Sequence, residues 1–226
     1  MTKSCNLKEM GMKTVLLATV ISGLTASTSV LAAGEFEGPW VGVGMGFRGQ
    51  NTKVTDNRDG SEIDGVGKNS IFGMLQGGYA FRWGDFNLGP YAFYLLGSTT
   101  SDTIVPNGGI FQGTTSFQTK WKNQWGIGLQ PGYYLSDNTI IYLKMSYNRT
   151  KLELTENTPS GSRNPSENFG GPGIGLGMKH ELSNHVILWV DVQQQYYSDK
   201  TFNVAGSSIE VKPKMTMGTF GVGYQF

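Results

Sequence analysis

The chain has 226 residues, of which 38% are hydrophobic, 15% charged and 12% aromatic, with 33 glycines and a net charge of +1. That balance excludes a basic nucleic-acid surface and a polyacidic tail. The mean hydropathy of −0.25 excludes a bundle of membrane helices, and the aromatic content excludes disorder. What remains is a folded domain unusually rich in glycine.

Lys3, Lys8 and Lys13 precede the apolar stretch 15–24, and a run of small residues then leads to Val30-Leu31-Ala32. This is the layout of a secretory signal peptide, with Val30 and Ala32 at the positions that signal peptidase reads. The apolar stretch is too short to cross a hydrocarbon layer of roughly 30 Å as a helix. Residues 1–32 are therefore expected to form a cleaved leader and residues 33–226 an exported domain, with Met12-Lys13 offering a second workable start. Cleavage removes Cys5, the only cysteine. The exported domain then has no disulfide, no thiolate metal site and no cysteine nucleophile.

After the leader the chain alternates with period two, the signature of strands with two unlike faces. Val41, Val43, Met45 and Phe47 oppose Gly42, Gly44, Gly46 and Arg48. Ile71, Leu75, Tyr79 and Phe81 oppose Met74, Gln76, Gly78 and Arg82. A third segment, 87–96, is apolar on both faces and has no legible phase. The fourth sets Trp121, Trp125, Ile127 and Leu129 against Lys120, Lys122, Gln124 and Gly126. Four more follow, around Ile141–Tyr147 (opposed by Lys144), Ile174–Met178 (opposed by Gly175, Gly177 and Lys179), Leu188–Tyr196 (opposed by Asp191) and Phe220–Phe226.

Eight strands leave seven connections of two kinds. Residues 49–70, 98–116, 150–168 and 198–209 are long and polar, whereas Trp83-Gly84-Asp85, Ser136-Asp137-Asn138 and Ser183-Asn184-His185 mark tight turns. Long and short alternate strictly. The expected fold is all-β, an eight-stranded antiparallel up-and-down transmembrane barrel, with long loops at one end and turns and termini at the other. A soluble barrel with its apolar face inward would share the alternation. The mixture of glycine and charge on the second face favours the inverted arrangement. So do aromatics near segment ends: Trp40, Phe81, Trp83, Tyr133, Tyr134, Tyr224 and Phe226 at the turn end, and Trp121, Tyr147, Tyr196 and Tyr197 towards the loops.

The last strand, Thr219-Phe220-Gly221-Val222-Gly223-Tyr224-Gln225-Phe226, resembles the assembly signal of outer-membrane proteins, carried by Thr219, Gly221, Tyr224 and Phe226. With Gly38-Pro39-Trp40-Val41-Gly42 at the start, residues 33–226 resemble the small barrels grouped with OmpX/Ail, the OmpA transmembrane domain and the opacity-type surface antigens. The resemblance implies placement in the outer membrane of a Gram-negative cell, export through the Sec route, and handling by periplasmic chaperones and the barrel-assembly machinery. It also implies contact with outer-membrane lipid and lipopolysaccharide. It does not fix a function, because the group spans adhesins, structural barrels and a few enzymes.

For chemistry the sequence offers little. His180 and His185 are the only histidines, and both fall at the turn end, away from the loops where a surface active site belongs. The stretch 56–64 meets a calcium-loop pattern only in part and reads as a solvated acidic turn. No cofactor, metal or catalytic set is expected. The charges assigned to the lumen are Arg48, Arg82, Lys120, Lys122, Lys144, Lys179 and Asp191. They fit either a plug of ion pairs or a narrow anion-preferring path. The primary expectation is a non-enzymatic surface protein, envelope-structural and engaged in adhesion or host contact through its loops. A passive pore is the alternative, and a lipid A-modifying enzyme the third reading.

Overall fold

A computed structural model describes residues 36–226 apart from 57–61, 67–68, 104–115, 159–160, 165, 184 and 205–206. Val30 and Ala32 of the expected leader, and the centre of the acidic stretch 56–64, lie outside the described residues. Eight long strands cross the barrel: β1 (Gly38–Asp56), β3 (Asn69–Trp83), β4 (Phe86–Leu96), β6 (Ser116–Ser136), β7 (Thr139–Thr158), β9 (Ser166–Ser183), β10 (Val186–Tyr196) and β12 (Ser207–Gln225). Four short ones extend the loop end: β2 (Glu62–Val66), β5 (Thr99–Thr103), β8 (Gly161–Arg163) and β11 (Lys200–Val204). Each long strand pairs antiparallel with its neighbour, and β12 returns to β1 from Trp40↔Gln225 to Asp56↔Ile209, which closes the barrel.

Among the described residues, the regions expected as long loops are thus largely strand. β1, β6, β7 and β12 continue well past the apolar belt, and the short strands fold back against them. Polar residues on both faces conceal these arms in the sequence, because above the lipid both faces are wet and only the hydrogen-bond ladder persists. At the opposite end the turns are tight, with Gly84 at φ 61° and His185 at φ 74°. Gly84 supplies this left-handed conformation without a steric penalty.

The alternation places the apolar set outside. Val41, Val43, Met45, Phe47, Leu75, Ile127, Leu129, Ile174, Leu176, Val190, Val192, Phe220 and Val222 form an exposed belt around the wall. Phe81, Trp83, Phe86, Tyr133, Tyr224 and Phe226 rim it at the turn end, while Tyr94, Trp125, Tyr147 and Tyr196 rim it towards the loops. This belt between aromatic girdles is the surface a barrel presents to a bilayer.

Two expectations about phase change here. In β6 the register slips between Lys122 and Trp125, and Asn123 takes a left-handed φ of 50°. Such a bulge inserts one residue and so exchanges the two faces for everything beyond it. Trp121 therefore turns inward, and Lys120 and Lys122, expected in the lumen, stand on the outer wall. Trp40, Tyr134 and Tyr197, expected in the girdles, are also buried inside. The unphased segment resolves as β4, with Tyr91, Phe93 and Leu95 inward and Ala92, Tyr94 and Leu96 outward.

Candidate functional site

An eight-stranded barrel is only wide enough for its own side chains, so what fills the lumen decides what the molecule can do. The packing is a large-on-small arrangement. Trp189 of β10 lies across a bed made by Gly42 and Gly44 of β1 and Gly221 and Gly223 of β12, where added Cβ atoms would meet its ring or the neighbouring backbone. Phe93 covers Gly126, Tyr91 covers Gly128 and Tyr142 covers Gly177 in the same way. Much of the glycine on the inner face is thus space for aromatic rings held by neighbouring strands.

At mid-height Asp191 organises the lumen. Lys144 Nζ donates to its Oδ2 at 2.9 Å and the Tyr142 hydroxyl to the same oxygen at 3.1 Å, while Thr219 Oγ1 donates to Oδ1 at 2.7 Å. The Lys144 and Asp191 side chains are each 1% exposed. A carboxylate so deeply buried is costly unless its oxygens are occupied, and here a cation and two hydroxyls occupy them. Lys144 also sits over the rings of Tyr91 and Phe93 of β4, one strand beyond β6, 5.4 and 5.8 Å from their centroids. Side chains of β4, β7, β10 and β12 therefore meet across one level.

One tier nearer the loops, Gln124 of β6 links three walls. Its Oε1 accepts from Arg48 Nη1 of β1 at 3.1 Å, and its Nε2 donates to Gln195 Oε1 of β10 at 2.7 Å and to the Tyr197 hydroxyl at 2.8 Å. Arg48 also donates to Ser70 Oγ, Gln195 to Asn148 Oδ1, and Gln193 to Ser146 Oγ. Above this lattice Trp121, Phe169 and Tyr197 pack at 5.8–6.4 Å between ring centroids. Towards the turn end Lys179 Nζ donates to Gln130 Oε1 at 2.7 Å and stands 3.9 Å from the Trp40 ring centroid. Below it Phe36 and Tyr134 pack at 6.1 Å, with Arg82 stacked 4.2 Å over Tyr134.

The residues marked in the sequence are thus divided by the fold. Arg48, Lys144, Lys179 and Asp191 are buried in the lumen, and Arg82 lies half-buried at its turn-end mouth. Lys120 and Lys122 are separated from them by the barrel wall. Thr219 and Gly221 of the terminal pattern are lumen residues, holding Asp191 and bedding Trp189, whereas Tyr224 and Phe226 face outward with ring centroids 5.1 Å apart. His180 Nδ1 is 3.0 Å from Thr139 Oγ1, and His185 packs beside Tyr224, both at the turn end. Gln124 was not singled out from the sequence, because its role rests on partners 71–76 residues away. Its neighbour Asn123, a residue that tolerates left-handed backbone, was the one local signal of the bulge.

The molecule shares this architecture with several solved barrels. The outer membrane protease OmpT from Escherichia coli is 10% identical, with 88% of this chain and 100% of that one covered and a TM-score of 0.51. The outer membrane protein OprG from Pseudomonas aeruginosa is 14% identical over 85% of this chain and 98% of that one, at 0.50. Ail, the attachment invasion locus protein of Yersinia pestis, solved with a heparin analogue, is 14% identical over 84% and 99%, at 0.45. At these identities the likeness is one of fold, and a protease stands among the similar structures. No curated protein matches the sequence. The outer membrane protein beta-barrel domain matches residues 16–226, which include the whole closed sheet and its lumen, and the chain belongs to that family.

Proposed function

We propose that the protein is a closed, non-enzymatic surface barrel of the Gram-negative outer membrane, delivered by a Sec-type leader, which displays its β-arms to the exterior for envelope integrity and surface contact. The observation that carries this reading is the lumen. The Lys144–Asp191 pair, sealed at 1% exposure, and the three-wall linkage through Gln124 leave the interior of a narrow barrel occupied by its own side chains. Function then belongs to the arms and the outer wall rather than to a path through the centre. Tyr224 and Phe226, outward at the end of β12, are the groups offered to the assembly machinery.

The loop-directed role is tested on the β7–β8 arm. Because Leu152 is buried opposite Trp121, removing all of 150–168 would take away that packing and open the barrel mouth. Replacing only 156–163 by a short turn spares that packing. The trimmed protein is expected to keep the fast, unboiled mobility of a folded barrel on SDS gels while cell-surface attachment falls. Attachment that stays unchanged after each arm is trimmed in turn would overturn the role. Lipid A of identical mass with and without the gene is the outcome expected of a non-enzyme, and a changed mass would overturn that part.

A further inference from the structure

Lys144 has its carboxylate inside the barrel, but Lys179 does not. Lys179 is 7% exposed, on β9 directly opposite Ile140 of β7 and Trp189 of β10. The two acids of the inner face closest to it along the strands are turned elsewhere. Asp191 is occupied by Lys144, Tyr142 and Thr219. Glu181, two residues further along β9, accepts from the backbone N–H of His185 through Oε1 at 3.2 Å, and its buried Oε2 has no partner among the described residues.

The groups that do meet the Lys179 ammonium are donors themselves. Its Nζ donates to Gln130 Oε1 at 2.7 Å and stands 3.9 Å from the Trp40 ring centroid and 5.2 Å from that of Tyr142. Nε2 of the same glutamine and Nε1 of the same indole have no hydrogen-bond partner among the described residues, although Gln130 is 2% and Trp40 3% exposed. The aromatic faces offset part of the charge. They do nothing for the two N–H groups, and a buried cation or N–H without an acceptor is costly. Side chains of β1, β6 and β9, none of which is a hydrogen-bonded neighbour of another, thus bring one positive charge and two orphaned donors to one place.

We propose that Lys179 Nζ, Trp40 Nε1 and Gln130 Nε2 form a buried site for a single small monovalent anion of the halide type. The charge balance selects it: one ammonium and two neutral donors match one negative charge, whereas phosphate or sulfate would bring a second. Geometry selects it too, because a spherical ion accepts from an ammonium, an indole and an amide without the planar fork that an oxyanion favours. The lumen of an eight-stranded barrel leaves room for little more. The ion is held and does not permeate, since the Lys144–Asp191 pair closes the lumen on the loop side. Its effect is to tie together three strands that the hydrogen-bond ladder does not join. The site is independent of what the arms contact.

The test follows urea unfolding of the full refolded chain in phosphatidylcholine vesicles, with sodium gluconate replaced stepwise by sodium bromide at constant ionic strength. The native midpoint is expected to rise with bromide and to saturate, as linkage to one bound ion requires. Lys179→Met, similar in length and uncharged, should abolish the saturable rise. Trp40→Phe keeps a ring beside the ammonium but deletes the N–H, and should raise the half-saturating bromide concentration roughly tenfold, the scale of one hydrogen bond to a charged group. Lys212→Gln removes a cation already matched by Asp199 at 3.2 Å and Glu210 at 3.4 Å, and should respond as the native protein does. In crystals soaked in bromide, an anomalous peak is expected within hydrogen-bond distance of Lys179 Nζ. A native midpoint equal in gluconate and bromide would overturn the proposal and leave the donors to water. So would a saturable rise that survives in Lys179→Met, or bromide peaks confined to the outer surface.

Discussion

Along β10 two faces of one strand follow different rules. Leu188, Val190 and Val192 face the bilayer, and each does no more than present an apolar surface. Trp189, Asp191, Gln193 and Gln195 face the lumen, and each has particular partners: a glycine bed, a lysine and two hydroxyls, a serine, an asparagine and a glutamine. The lipid face is specified by class of residue, the lumen face by identity. In water a protein spends its specificity on an apolar core. Here the core interleaves aromatic rings with hydrogen-bonded polar and charged groups, and the apolar outer side answers only to its solvent.

The largest effect is expected on the lumen face. Asp191→Ala leaves Lys144 buried without its counter-charge and should cost about 3–5 kcal/mol, read as a lower denaturant midpoint for the barrel in lipid vesicles. Asp191→Leu with Lys144→Met should recover most of that loss, because a matched apolar pair removes both charges together. If the single substitution were as mild as the double, the pair would not be the organising contact.

The lipid face should discriminate by polarity and not by shape. Val190→Arg, at mid-height of the belt opposite Phe220 and Met178, is expected to cost about 2–4 kcal/mol. Val190→Leu should stay within about 0.5 kcal/mol of native. Equal losses from the two changes would mean that this face is packed against protein instead of lipid.

The smallest effect lies beyond the membrane, on the arm. The hydrogen bond from Lys122, with help from Lys151, holds the Glu153 carboxyl below its ordinary value of 4.5. A lowered carboxyl stabilises the fold fully above 4.5 and loses that contribution as pH falls below it. Glu153 is on the surface, so a native chain should show only a slight acid-induced loss of midpoint, and Glu153→Gln should remove that component. An acid loss identical in native and variant protein would assign it to other groups.

The architecture was legible because alternation and the rhythm of turns are local properties. Strand number and closure followed from period two and the alternation of long and short connections, and the apolar-outside arrangement from the glycine and charge on the second face and the aromatics near segment ends. The phase of β6 failed at a single residue: Asn123 inserts a bulge, and one inserted residue is enough to send Lys120 and Lys122 outward and Trp121 inward. The phase of β4 was illegible for a different reason. Tyr91 and Phe93 fill the lumen over Gly128 and Gly126 of the next strand, so both faces of β4 are apolar and its period carries no contrast. The inner linkages were beyond reach from the sequence, since Gln124 meets Arg48 and Gln195 only once the barrel has closed.

The central claim is that the lumen is barred by its own side chains, and single-channel recording in planar bilayers tests it most directly. Native protein, shown to be inserted by its heat-modifiable mobility after recovery from the membrane, is expected to leave the bilayer silent. Lys144→Ser/Asp191→Ser, which replaces the mid-height bar with small polar groups, should give resolvable steps. Reproducible steps of the same size from the native chain would contradict the account and make the protein a pore.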